Sequence, residues 1–158
     1  NGHEILSLNK QNKWIPARDP LHYDKPTKCG IGPGLSFAKL ICQCGIIQKN
    51  RKIGLIPCAF GGTSILDWMP ISNENNKFND SNTINLFNYT VNKVNIGLKL
   101  IPNSQLKCIL WHQGESDSNS IENAKKYQDY IISLMNSFRK SFNNNSLPIL
   151  VGGLGEFL

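Results

Sequence analysis

Apolar residues recur along this chain with two periods, and the switching between them sets the expected order of elements. Ile84, Phe87, Val91, Val94, Leu98 and Ile101 return at steps of three and four residues. That spacing predicts an amphipathic helix ending before Pro102. Tyr127, Tyr130, Ile131, Leu134, Met135, Phe138 and Phe142 predict a second helix, and a glycine turn at Gly30 to Gly34 opens a third over Leu35 to Gln48. Lys52 to Ala59, Leu106 to Trp111 and Pro148 to Gly152 are instead short apolar runs bounded by turn residues, which suits strands buried on both faces. Strands alternating with helices imply an α/β fold whose parallel sheet is covered on both faces and joined by right-handed crossovers. The glycine-bearing strand ends at Gly61-Gly62, Gln113-Gly114 and Gly152-Gly153 are then expected along one edge, where open α/β sheets place their ligands.

The remaining segments fill in around this frame. Glu4 to Leu8 is a short apolar opening. Trp14 to Pro26 carries three prolines and suits an ordered loop. Ser72 to Ser81, rich in asparagine and poor in apolar residues, reads as a long, mobile, exposed loop. A chain of 158 residues fits a single domain spanning 1–158 with a core of its own.

Charge and cysteine content narrow the functional classes. The formal charge of +6 is spread over scattered lysines, with no arginine-rich run, so no nucleic-acid partner is expected. No apolar run approaches a membrane span, so no membrane partner is expected either. Cys29, Cys42, Cys44, Cys58 and Cys108 are an odd number, and the C-x-C at Cys42 lies in an apolar run. Buried free thiols are expected there rather than zinc ligands or a disulfide framework. His3 and His22 have no metal-like partner at turn or helical spacing, so neither metal nor cofactor is expected.

Candidate chemistry gathers behind the Leu106 to Trp111 run. His112-Gln113-Gly114-Glu115 offers an imidazole, an amide donor, an unhindered backbone N–H and a carboxylate within four residues. A glutamine amide beside a glycine N–H can donate to a developing oxyanion, and a carboxylate can steady a catalytic imidazolium. Phe60-Gly61-Gly62-Thr63-Ser64 has the form of an anion-binding turn, with Thr63 and Ser64 placed to cap the segment after them. Trp14, Trp68 and Trp111 are candidates for a sugar platform or for the core. The phosphate-loop spacing fails after Gly34, and no serine sits in a G-x-S-x-G elbow.

Taken in order, Pro16-Ala17-Arg18-Asp19-Pro20-Leu21, Cys29 to Ala38, Ile53 to Ala59 with Gly61-Gly62-Thr63, and Trp111-His112-Gln113-Gly114-Glu115-Ser116-Asp117 resemble the sialate O-acetylesterase and acetylxylan esterase group of SGNH hydrolases. The resemblance implies a three-layer α/β/α sandwich that hydrolyses acetyl esters, usually on carbohydrates, through a serine and without metal. It implies an oxyanion N–H from Gly61 or Gly62, a second donor from Gln113, and support of the catalytic histidine by Glu115 or by an aspartate of a later D-x-x-H motif. His112, Thr63 and Trp68 are then the expected substrate-binding residues, and an acetylated carbohydrate or other small acetyl ester the expected partner. The group's G-Q-S-[NM] and D-x-x-H motifs do not occur in this sequence, so the domain is expected to be truncated at both ends. The competing expectation is a non-catalytic carbohydrate-binding or scaffold domain. A third makes Ser64 or Ser116 the nucleophile with His112 as base. Compartment, oligomeric state and the particular ester are not indicated by these residues.

Overall fold

In a computed structural model, which describes residues 4–48, 50–71 and 84–154, the apolar opening becomes strand β1 (Ile5–Leu8). Asn9 turns the chain behind it, its side-chain oxygen accepting from the backbone N–H of Gln11 and of Lys13 at 2.9 Å each. Asn12 takes a left-handed φ of 57°, which asparagine tolerates better than most side chains. The hairpin pairs β1 antiparallel with β2 (Trp14–Pro16), while β1 pairs in parallel with β3 (Ile53–Leu55). Between β2 and β3 runs α1 (Pro33–Gln43), opened by Pro33, whose fixed φ and missing N–H suit a first helical position.

Contacts divide the chain into two units. The first holds the described residues up to Gly61 together with Lys93–Ser104, and so contains the β2-β1-β3 sheet, α1 and the second half of α2 (Leu86–Leu100). Leu8, Leu35, Ala38 and Val94 are buried in it. Lys93 is buried as well: its Nζ donates to the Asn9 carbonyl at 2.9 Å and lies 4.8 Å from the centroid of the Tyr23 ring. Burial lowers its pKa because desolvation disfavours the charged form. Trp14 Nε1 donates to the Gly97 carbonyl at 3.3 Å, a second tie between the hairpin and this half of α2.

The second unit holds the described residues from Gly62 to Asn92 and from Gln105 onward. Its frame is a βαβ crossover: β4 (Ile109–Trp111), α3 (Ile121–Ser141) and β5 (Ile149–Val151), with the two strands parallel and in register from Ile109–Ile149 to Trp111–Val151. Ser120 caps α3, its hydroxyl accepting from the Asn123 N–H at 3.1 Å. Ile65, Leu134, Phe138 and Leu147 are fully buried, and Phe87 stacks on Phe138 with centroids 4.9 Å apart.

Helices and small, mainly parallel sheets of this kind are compatible with an α/β fold. In place of one parallel sheet, the described strands form a mixed three-stranded sheet and a parallel pair. β2 falls in the stretch expected to be loop, because three residues between a turn and Ala17 are too few for a period to show. Pro57 follows soon after β3 and cannot donate to a ladder, so that strand is shorter than its apolar run. α3 starts at Ile121, ahead of the apolar repeat, since its first turn is exposed and polar. The five cysteines are free, but none is buried: Cys44 is exposed and the others are half-buried. Ser72–Ser81 lies outside the described residues. No described helix is long and apolar enough to cross a membrane.

Phe138→Ala, which empties the centre of the second unit, is expected to lower stability by about 3–5 kcal/mol in urea unfolding. Ile132→Ala, on a residue 52% exposed one helical face away, is expected to stay within about 0.5 kcal/mol.

Candidate functional site

The carboxyl ends of β4 and β5 lie together, joined by the Gly152 N–H donating to the Trp111 carbonyl at 2.8 Å. His112 leaves β4 at this end with its ring exposed and packed against Gly152, where an added Cβ would come within 2.7 Å of the imidazole. Gln113 comes next and reaches back across the unit. Its Nε2 donates to the Thr63 carbonyl at 3.0 Å and to Asp117 Oδ2 at 2.6 Å. The Tyr127 hydroxyl lies 2.7 Å from the Gln113 carbonyl and 3.0 Å from its Oε1, donating to this pair of acceptors, and accepts from Trp111 Nε1 at 3.3 Å. The amide orientation is set by its neighbours. Turned over, Oε1 would face a carboxylate and a carbonyl, with no hydrogen between them.

Asp117 is the charged centre of this network, 7% exposed. Besides Gln113 it takes the Ile65 N–H on both oxygens, at 2.9 and 3.2 Å. Ile65 is the first residue of the 3-10 turn Ile65–Trp68, and the preceding Ser64 gives both its N–H (2.7 Å) and its hydroxyl (3.0 Å) to Asp67 Oδ2. Trp68 closes the turn by donating from Nε1 to Thr63 Oγ1 at 2.9 Å and meets Trp111 edge-on, 5.2 Å between centroids. Burial raises the pKa of Tyr127; the Trp111 bond works against it, and the charges of Asp117 and Glu115 add to the rise. The phenol therefore stays protonated as a donor well above neutral pH.

Gly61, in the first unit, is held separately. Its N–H donates to Asp24 Oδ2 at 2.8 Å and its carbonyl accepts from Lys25 Nζ at 2.5 Å. Asp24 Oδ1 accepts from the Cys29 thiol at 3.2 Å. Burial pushes the Asp24 carboxyl up, but the Gly61 N–H, the Cys29 thiol and further backbone N–H groups outweigh it and hold the pKa below the ordinary value. Gly62 comes next with φ 77°, a conformation that favours glycine. It is exposed, and its N–H makes no hydrogen bond among the described residues.

Of the residues anticipated from sequence, Gln113, Thr63 and Trp68 come together in one network, but as partners of one another. Trp68, 6% exposed, presents no free face to a sugar. Both amide hydrogens of Gln113 are engaged, as is the N–H of Gly61. His112 and Glu115 are exposed on the segment that leaves β4, and Gly62 is exposed as well, its N–H without an acceptor among the described residues. Asp117 and Tyr127 were not anticipated as site residues. Asp117 stands two residues past Glu115 in the same motif, and a second carboxylate beside an amide was the available signal; Tyr127 was hidden in the apolar repeat of α3.

Residues 1–157 match the family described as carbohydrate esterase, sialic acid-specific acetylesterase. The chain belongs to this family. A protein of Arabidopsis thaliana named "Probable carbohydrate esterase At4g34215" is 34% identical over 148 residues, covering 92% of this chain and 51% of that protein. The X-ray structure of the Arabidopsis protein aligns with a TM-score of 0.78 at 33% identity, over 93% of this chain and 56% of that one. The chain thus spans about half the length of these relatives. Within this member of the sialic acid-specific acetylesterase family, the Trp111 to Asp117 segment forms the network around Asp117.

Asp117→Ala strands the Ile65 N–H and the Gln113 amide and is expected to cost about 2–4 kcal/mol in urea unfolding, with faster hydrogen exchange at Ile65. For Asp24 the folded pKa is depressed, so its contribution is complete above the ordinary carboxylate pKa of about 3.9 and is lost as pH falls through the lower folded value. The melting-temperature gap between the parent and Asp24→Asn should be flat from about pH 7 to 8, grow somewhat at lower pH as His22, whose charged form Asp24 favours, takes up its proton, and close below about pH 4.

Proposed function

We propose that the complete protein is a carbohydrate O-acetylesterase with a serine nucleophile outside residues 1–158. The observation that carries this reading is the Gly62-Thr63 turn: Gly62 is exposed and its N–H has no acceptor among the described residues, while the neighbouring Thr63 carbonyl accepts from Gln113, which also donates to Asp117. A rigid, unspent backbone donor is what acyl transfer needs where negative charge develops on the carbonyl oxygen.

In the proposed reaction the serine oxygen attacks the acetyl carbonyl while a histidine takes its proton. The tetrahedral oxyanion accepts from the Gly62 N–H, the bond to the sugar oxygen breaks, and that oxygen leaves with the proton. Water then repeats the sequence on the acyl-enzyme and releases acetate. Gln113 serves here as a positioning residue for Gly62 rather than as a free donor. Glu115, an exposed carboxylate, is available to steady the catalytic histidine, and the exposed His112 ring to border the substrate. Ser64 is a poor nucleophile candidate, because its hydroxyl is engaged by Asp67.

The test is a fluorophosphonate reaction on the complete protein, read by peptide mapping beside acetate release from acetylated sugars and 4-nitrophenyl acetate. An adduct on a serine outside residues 1–158 with acetate released is the expected result. An adduct at Ser64 or Ser116 would move the nucleophile into this segment, and a folded protein with neither adduct nor turnover would favour a carbohydrate-binding role. Gln113→Ala is expected to lower kcat by about 10-fold or more and stability by about 1–3 kcal/mol. Loss of rate with stability intact would make Gln113 a direct donor instead.

A further inference from the structure

We propose that Lys25 and Asp24 are positioning residues that set the direction and the strength of the Gly62 N–H. The inference deepens the esterase reading and rests on it. The Gly61 carbonyl and the Gly62 N–H belong to one peptide group, and in a planar trans peptide they point in opposite directions. Lys25 Nζ, 2.5 Å from that carbonyl oxygen, therefore aims the N–H away from itself. With glycine on both sides of the peptide, no Cβ opposes rotation of its plane. The lysine supplies the restraint that side chains would give elsewhere.

Asp24 fixes the preceding peptide by accepting the Gly61 N–H at 2.8 Å. Two consecutive residues thus hold two consecutive peptides, the anion on the N–H and the cation on the carbonyl. The loop that carries them has its own footing: the Tyr23 hydroxyl donates to the Pro57 carbonyl at 3.3 Å, and the Lys93 cation lies over the Tyr23 ring. A cation on an amide oxygen also draws electron density from the nitrogen, which makes the N–H of the same group a stronger donor. Neither residue touches the reacting atoms; both act through Gly62.

The experiment uses the complete protein with selectively 15N-labelled glycine, comparing the parent with Lys25→Met, Lys25→Arg and Asp24→Asn. In Lys25→Met the Gly62 amide proton should move upfield and exchange faster. On 4-nitrophenyl acetate kcat should fall about tenfold, less than the roughly 10²–10³ of deleting an oxyanion donor outright, with KM changed less than about twofold. Lys25→Arg should restore most of both signals, and Asp24→Asn should shift the Gly61 amide first. An unchanged Gly62 resonance in Lys25→Met overturns the clamp. A moved resonance with unchanged kcat in an active parent overturns the catalytic role. A parent that turns over no acetyl ester, though the resonance moves, shows that the esterase reading has failed and leaves Lys25 a structural tie only.

Discussion

A single buried carboxylate, Asp117, organises the second unit. Taking a carboxylate out of water costs several kcal/mol unless its oxygens are well met, and here they are met by the Ile65 N–H and the Gln113 amide. The requirement propagates. Because Asp117 accepts, Gln113 must present nitrogen to it, which leaves Oε1 on the other side and makes Tyr127 the donor there. Tyr127 belongs to α3, Ile65 to the 3-10 turn and Gln113 to the exit of β4, so one charge fixes three separate segments against each other. A side chain without an acceptor oxygen at this position would remove the reason for each of those orientations.

Long-range order of this kind is only partly written in local pattern. α2 and α3, helices of fifteen and twenty-one residues, were legible because their apolar repeats run for several turns and give a period many chances to show itself. The strands were legible as apolar runs, but their pairing was not. β2 owes its existence to the Asn9 turn and to Trp14, which is anchored by a carbonyl more than eighty residues away. No window of sequence contains both partners. Lys93 makes the same point from the opposite side: a lysine in a helical pattern reads as solvated, yet the Asn9 carbonyl and the Tyr23 ring bury it.

The site was legible as a place more than as a set of roles. His112-Gln113-Gly114-Glu115 drew notice because such residue types rarely crowd together without purpose, and the structure does gather them at a strand end. Composition cannot say which group faces inward. Glu115 and Asp117 are two residues apart and chemically alike, but the 3-10 turn Glu115–Asp117 exposes the first and buries the second. Trp68 could have stacked on a ligand or packed in a core; it is buried and gives its Nε1 to Thr63 Oγ1. Gly61 and Gly62 differ only in what their neighbours demand of them, and Asp24 lies thirty-seven residues upstream.

The competition for Gln113 bears most directly on the esterase reading. An amide has two hydrogens, and both are in use. An oxyanion that drew on Gln113 would have to displace one of its present partners. The bond to Asp117 is short and charge-assisted, so the neutral bond to the Thr63 carbonyl is the one to yield. Releasing Thr63 would loosen the residue next to Gly62 and cost that N–H the rigidity that makes a preorganised donor effective. The two donors therefore oppose each other: engaging the glutamine weakens the glycine. An arrangement in which Gln113 keeps Thr63 and Gly62 alone meets the oxyanion avoids the conflict, and under the proposed esterase reading it makes the glutamine the support of the donor rather than a second one.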